Sequence, residues 1–242
     1  MTAKDAVKAI VFDVFGTVVD WRGSTIAELK SFGTGRGLAL DWDAFADEWR
    51  GLYQPSMEQV RSGKRPFAIL DDLHRESLLT LLKKHNVQGM EPHEIEHLVT
   101  IWHRLHPWAD MPSGLTRLGT RYITGTLSNG NVGLLTRLAK FGHLPFDVIM
   151  GAETAGAYKP QPQAYLRTAE LLNLTLKPEE MMLAAAHNGD LAAAASVGYR
   201  TAFILRPLES GPNKKIDLKA DRAWDVVTDS CHGLADAMGC LK

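Results

Sequence analysis

A chain of 242 residues with 45% apolar composition has the material for one large domain or two small ones with a substantial core. Lys and Arg number 27 against 28 Asp and Glu, a formal net charge of −1, which gives no electrostatic case for nucleic acid or an anionic membrane surface. Both cysteines, Cys231 and Cys240, lie near the C-terminus, and no apolar run reads as a secretory signal or a bilayer span; the expectation is a soluble cytoplasmic protein.

In chain order, the first predicted element organises the rest. Ile10, Val11 and Phe12 form a short apolar run, bounded by charge in front and Gly16 behind, and read as a buried parallel strand. The run stops at Asp13, and the carboxyl ends of strands in an open α/β sheet are where ligands bind. Gly16 permits a sharp turn and Thr17 brings a hydroxyl back to the same point; the plainer alternative is an aspartate that only caps a turn.

From Ser24 to about Leu105 helical patterns replace strands. Ser24 is the expected cap of a helix carrying Ile26, Leu29 and Phe32, and Asp41 of a second carrying Phe45, Trp49 and Leu52. A third runs through Ile69, Leu70, Leu73, Leu78, Leu81 and Leu82 and stops before Asn86. Pro92 opens a fourth, with Ile95, Leu98, Val99, Trp102 and Leu105 in a stripe. An insert of roughly 80 residues is far too long for a strand-to-strand loop. It reads as a helical cap domain, residues 21–106, on a core of residues 1–20 and 107–242. Within the fourth helix His93 and His97 make a formal H-E-x-x-H zinc motif, but they fall opposite the apolar stripe and no third ligand is evident.

Strand patterns return at residues 121–127, 148–150, 181–186 and 199–205, with helices at 134–141, 163–172 and 191–197 between them and one more short element near 223–227. This alternation predicts an α/β, Rossmann-like, doubly wound parallel sheet, with right-handed crossovers bringing the strand ends to one edge. Asp13 and Thr17, Ser128 and Asn129, Lys159, and Asp190 then converge there, in the segments FDVFGT, LSNG, YKPQP and HNGD.

These four segments, in this order around an insert that follows the first, resemble the haloacid dehalogenase superfamily over nearly the whole chain. Most members of that superfamily are magnesium-dependent phosphatases, with a second acid two residues after the nucleophile and two acids four apart in the last motif. Here those positions are Phe15 and Ala186, an aromatic ring and a methyl group. Mg²⁺ needs hard oxygen ligands, and phosphoryl transfer without it loses its main charge clamp, so no metal and no other cofactor is expected. The resemblance is closest to the (S)-2-haloacid dehalogenase (type II) group, whose first motif reads FDxYGT; Phe15 replaces its tyrosine.

The resemblance implies hydrolytic dehalogenation of short 2-haloacids through an aspartyl ester on Asp13, with inversion at the carbon. Lys159 would keep Asp13 ionised, Thr17 and Ser128 would donate hydrogen bonds to it or to the substrate carboxylate, and Asp190 would orient Lys159 or the hydrolytic water. Arg50, after Trp49, would receive the halide with Asn129; Arg22 is a second candidate. Phe15, Ser128, Tyr165 and Asn188 complete the expected binding residues, while Trp49 and Trp108 either line the pocket or pack the core. His187 stands where the family has an asparagine, and is expected to position or deprotonate the hydrolytic water. A homodimer is a family expectation. A phosphatase or phosphonate hydrolase of the same superfamily, and a non-catalytic binding protein on this scaffold, are the competing readings.

Overall fold

The computed structural model describes residues 3–172, 177–212 and 217–240. After a short helix α1 (Ala3–Ala6) comes β1 (Ala9–Phe12), then a purely helical stretch: α2 (Trp21–Arg36), α3 (Trp42–Gly51), α4 (Tyr53–Arg61), α5 (Leu70–Lys84) and α6 (Pro92–Val99), ending in a 3₁₀ turn at Thr100–His103. Alternation resumes with α7 (Met111–Leu118), β2 (Ile123–Thr126), α8 (Val132–Phe141), α9 (Ala152–Ala155), α10 (Pro162–Leu172), β3 (Met181–Ala185), α11 (Asn188–Ser196), β4 (Arg200–Ile204), β5 (Val226–Thr228) and α12 (Cys231–Ala237).

The five strands form one parallel sheet in the order β2-β1-β3-β4-β5. β1 is flanked on both sides, with Phe12 opposite Thr126 of β2 and Ala184 of β3. Its residues are fully buried and split between two cores as the period of two demands: Ile10 and Phe12 join Met182 and Ala184 on one face, Ala9 and Val11 join Met181 and Leu183 on the other. The chain leaves β1 first to one side and then to the other, so a topological switch point opens between β1 and β3. A crevice forms at such a point beyond the carboxyl ends of the strands. Asp13 follows β1 and His187 follows β3, at its mouth.

Several local expectations change. Helix α2 begins earlier than expected: Asp20 is its cap, accepting from Gly23 N at 2.8 Å, while Ser24 Oγ accepts from His106 N at 2.9 Å. Asp41 caps α3 as expected, accepting from Ala44 N. Helix α4 has no counterpart among the expected elements; Pro55, in its first turn, reads as a breaker but costs no hydrogen bond there. The strand expected at 148–150 is reduced to a single bridge from Val148 to Gly125. Backbone bonds persist at Asp147 and Val148, and side chains extend the pairing at either end, with Asp147 Oδ2 accepting from Thr124 N and Thr126 Oγ1 bonding to both Met150 N and Met150 O.

Candidate active site

Asp13 continues the β1 ladder, its N–H donating to Ala184 O at 3.1 Å, and its carboxylate turns into the crevice, 7% exposed. Gly16 at φ +94° folds the chain back so that Thr17 Oγ1 donates to Asp13 Oδ2 at 2.8 Å and accepts from Ala186 N at 2.9 Å. Lys159 Nζ donates to Asp13 Oδ1 at 2.8 Å and also to Asp190 Oδ2; Tyr165 OH donates to Asp190 Oδ1 at 2.6 Å. Asn129 Oδ1 accepts from Lys159 N at 2.8 Å, fixing the lysine loop. His187 Nδ1 lies 3.1 Å from Asp13 Oδ2, and its Nε2 lies 2.9 Å from both oxygens of Glu209.

The electrostatics follow from this pairing. Burial disfavours ionised Asp13, but Lys159 and His187 outweigh it and hold the carboxyl far below its usual range. Burial likewise opposes the charge on Lys159, and Asp13 and Asp190 reverse that. Burial also works against a charged His187, yet the hydrogen bonds to Asp13 and Glu209 push it up to about 10. The resting site thus holds an imidazolium at neutral pH. In this resting arrangement both ring nitrogens are committed to carboxylates, so the ring has no lone pair for water while Asp13 is ionised.

Facing Asp13 across a cavity of about 350 Å³ stands Arg50. Its guanidinium carbon lies 4.1 Å from the Tyr53 ring centre, 5.1 Å from Trp21 and 5.7 Å from Phe15. Among the described residues it has no acidic partner, and its Nη1 is buried without any hydrogen bond. A buried, unpaired guanidinium N–H is costly, and an anion in the cavity would satisfy it. Hydrogen bonds tie the helical layer that carries Arg50 to the strand-end loops. Arg61 Nη1 donates to Lys159 O at 2.9 Å, Tyr158 OH to Ala68 O at 2.7 Å, and Asn131 Nδ2 to Asp71 Oδ2 at 3.0 Å.

Asp13, Phe15, Arg50, Asn129, Lys159, Tyr165, His187 and Asp190 all line the cavity, with Thr17 bonded just behind it. Two expected residues do not join them. Asn188 spends its whole amide elsewhere: Nδ2 donates to Asp217 Oδ1 and Lys219 O, and Oδ1 accepts from Asp221 N and Trp224 Nε1. It clips the 217–224 segment to α11 and has no capacity left for substrate. Ser128 Oγ accepts from Gly130 N at 3.1 Å within its own turn and does not line the cavity. Arg22, the second halide candidate, pairs with Asp47 at 2.9 Å. Trp49 is core, its Nε1 donating to His74 O, whereas Trp108 Nε1 donates to Gly16 O and braces the turn after Asp13.

Sequence reasoning missed Glu209, Tyr53 and Gln54. Tyr53 and Gln54 stand three and four residues after Arg50, the spacing of a shared helical face, and that signal was available. Glu209 lies in an irregular stretch 22 residues from its partner His187, with no periodicity to mark it.

The residues present do not suit a divalent cation. The positions that would supply hard oxygens are the buried ring of Phe15 and the methyl of Ala186, and Asp13 has cationic Lys159 and His187 on its two oxygens. His93 and His97 lie on an exposed helix face, His97 stacked on Phe32.

The haloacid dehalogenase-like hydrolase family model matches residues 7–198. The defluorinating L-2-haloacid dehalogenase Rha0230 is 46% identical, with a TM-score of 0.93 over 96% of this chain and 95% of its own. The L-2-haloacid dehalogenase PA0810 is 41% identical, with a TM-score of 0.91 over 95% and 97%. The (S)-2-haloacid dehalogenase of Xanthobacter autotrophicus is 27% identical over 204 residues, 83% of this chain and 76% of that protein. With its parallel sheet, its helical insert after β1 and this similarity, the chain belongs to the haloacid dehalogenase-like hydrolase family, alongside its L-2-haloacid dehalogenases.

Proposed function

We propose that the protein hydrolyses the carbon–halogen bond of short 2-haloacids through an ester on Asp13, without a metal. The observation that carries this reading is the pairing across the cavity: a carboxylate held ionised on one wall, an anion receptor with an unsatisfied N–H on the other. Asp13 Oδ2 already accepts from Thr17 and His187, whereas Oδ1 accepts only from Lys159, so Oδ1 keeps the freer lone pair and attacks. The C–O bond forms as the carbon–halogen bond breaks, and the halide departs toward Arg50 and Asn129. In-line displacement inverts the carbon, and holding both partners in line supplies much of the rate.

Esterification cancels the charge on Asp13 and leaves Glu209 as the carboxylate beside His187. The imidazolium then releases its Nδ1 proton to solvent, the one proton set free per turnover, and the lone pair left beside the ester carbonyl takes a proton from the attacking water, which restores the imidazolium. Water adds to Cγ, the hydroxy acid leaves with a proton, and Asp13 is restored. One halide and one proton leave per turnover. Residues 21–106 serve as the cap that closes this chemistry off from solvent, on a core of residues 1–20 and 107–242.

The test is a halide-release panel with fluoro-, chloro- and bromoacetate and both 2-chloropropionate enantiomers, with and without EDTA. Release from the (S) enantiomer to give the (R)-hydroxy acid, unaffected by chelator, is expected. Fluoroacetate is included because the 46% identical relative is a defluorinating enzyme. No halide from any substrate, or magnesium-dependent phosphate release from a generic phosphate ester instead, overturns the reading.

A further inference from the structure

The carboxylate of Glu209 is seated by more than His187. Trp21 Nε1 donates to its Oε1 at 3.3 Å. It also presses on the nucleophile turn: a Cβ added at Gly16 would stand 2.1 Å from the same oxygen. Trp21 itself is 4% exposed, and the guanidinium carbon of Arg50 lies 5.1 Å from its ring centre. One indole therefore touches the acid behind His187 through its N–H and the anion receptor through its ring. A buried indole needs a partner for its single donor, and at Trp21 that partner is the carboxylate behind His187.

We infer that Trp21 is a positioning residue that holds Glu209 in line with His187 for ester hydrolysis and supports Arg50 for halide binding. The two jobs act on different steps of the reaction and use different parts of the ring. This inference rests on the haloacid–ester reading above.

Trp21→Phe separates the jobs, because it keeps an aromatic ring beneath Arg50 and deletes the donor. In single-turnover experiments with (S)-2-chloropropionate, the halide burst reads alkylation and the mass of the Asp13 adduct reads ester hydrolysis. Trp21→Phe is expected to slow adduct decay about tenfold, the order of one hydrogen bond to a charged group, with the burst changed less than about twofold. In a Glu209→Gln background the same change should add less than about twofold, since its route of action is already gone. Trp21→Leu removes the ring as well, and should raise KM about fivefold further through Arg50.

Equal slowing of both steps by Trp21→Phe, or the same slowing with Glu209→Gln already present, would assign Trp21 to packing and overturn the inference. If Trp21→Phe does not fold, the benzothiophene analogue of tryptophan at position 21 keeps the ring shape, removes only the N–H and carries the same expectations. Unchanged adduct decay in an otherwise active enzyme overturns the inference alone; absence of any adduct on wild-type Asp13 overturns it together with the reading beneath it.

Discussion

The two walls of the cavity differ in how completely their charges are paired. On the strand-end wall every charged group has its partner: Lys159 bridges Asp13 and Asp190, Tyr165 completes Asp190, and His187 joins Asp13 to Glu209. On the helical wall Arg50 lies among three aromatic rings with a buried N–H unmet. Complete pairing fixes a group and tunes its protonation, and incomplete pairing marks where a ligand's charge belongs. On the proposed reaction the first wall presents the nucleophile and the second receives the anion.

The strongest way to break this contrast is Asp13→Asn. If the paired wall exists to present a nucleophile, halide release falls by at least about a thousandfold in a halide assay, with the fold retained by circular dichroism. Residual turnover above about a tenth would move the nucleophile elsewhere. Next in size is Arg50→Lys on the unpaired wall. Lysine keeps the charge but loses the planar fork and its stacking, and kcat/KM should fall about a hundredfold while the Asp13 side is untouched. A loss below about threefold would mean that Arg50 serves packing.

The smallest effect sharpens the paired wall. His187 binds its proton more tightly folded than unfolded, so its stabilisation is complete below its ordinary value of 6.5 and is lost as pH rises through about 10. Asp13 works in the opposite sense, stabilising above its ordinary 3.8 and losing that contribution as pH falls. The wild-type Tm should therefore drop by about 5 °C more than that of His187→Asn between pH 6.5 and pH 10, by scanning calorimetry. Parallel curves for the two proteins would show that the His187 proton is not tied to the fold.

What the sequence makes legible follows the same division. Asp13, Thr17, Lys159 and Asp190 could be picked out because each stands at a strand end or in a short motif whose spacing survives in one dimension. The parallel sheet was readable for the same reason, as apolar runs between helical patterns. Glu209 was not, because it reaches the site from an irregular stretch and its meaning depends on His187 being across the crevice. Asn188 shows the converse error: the motif gave the residue type and place, but the direction of its amide is set by Asp217, Lys219 and Trp224, which no motif connects to it. Helix α4 was hidden by Pro55, a breaker everywhere but the first turn.

The contact between Arg61 and the carbonyl of Lys159 has a practical consequence. Arg61, bonded to Gln54 of the cavity lining, looks like a convenient position to trim when reshaping the cavity for bulkier acids. Its guanidinium, however, grips the main chain of Lys159, whose ammonium is paired with Asp13. Gln54, which lines the cavity, holds the same guanidinium, its Oε1 accepting from Arg61 Nη2 at 3.1 Å, so trimming either residue to admit bulkier acids would also slacken the lysine paired with Asp13.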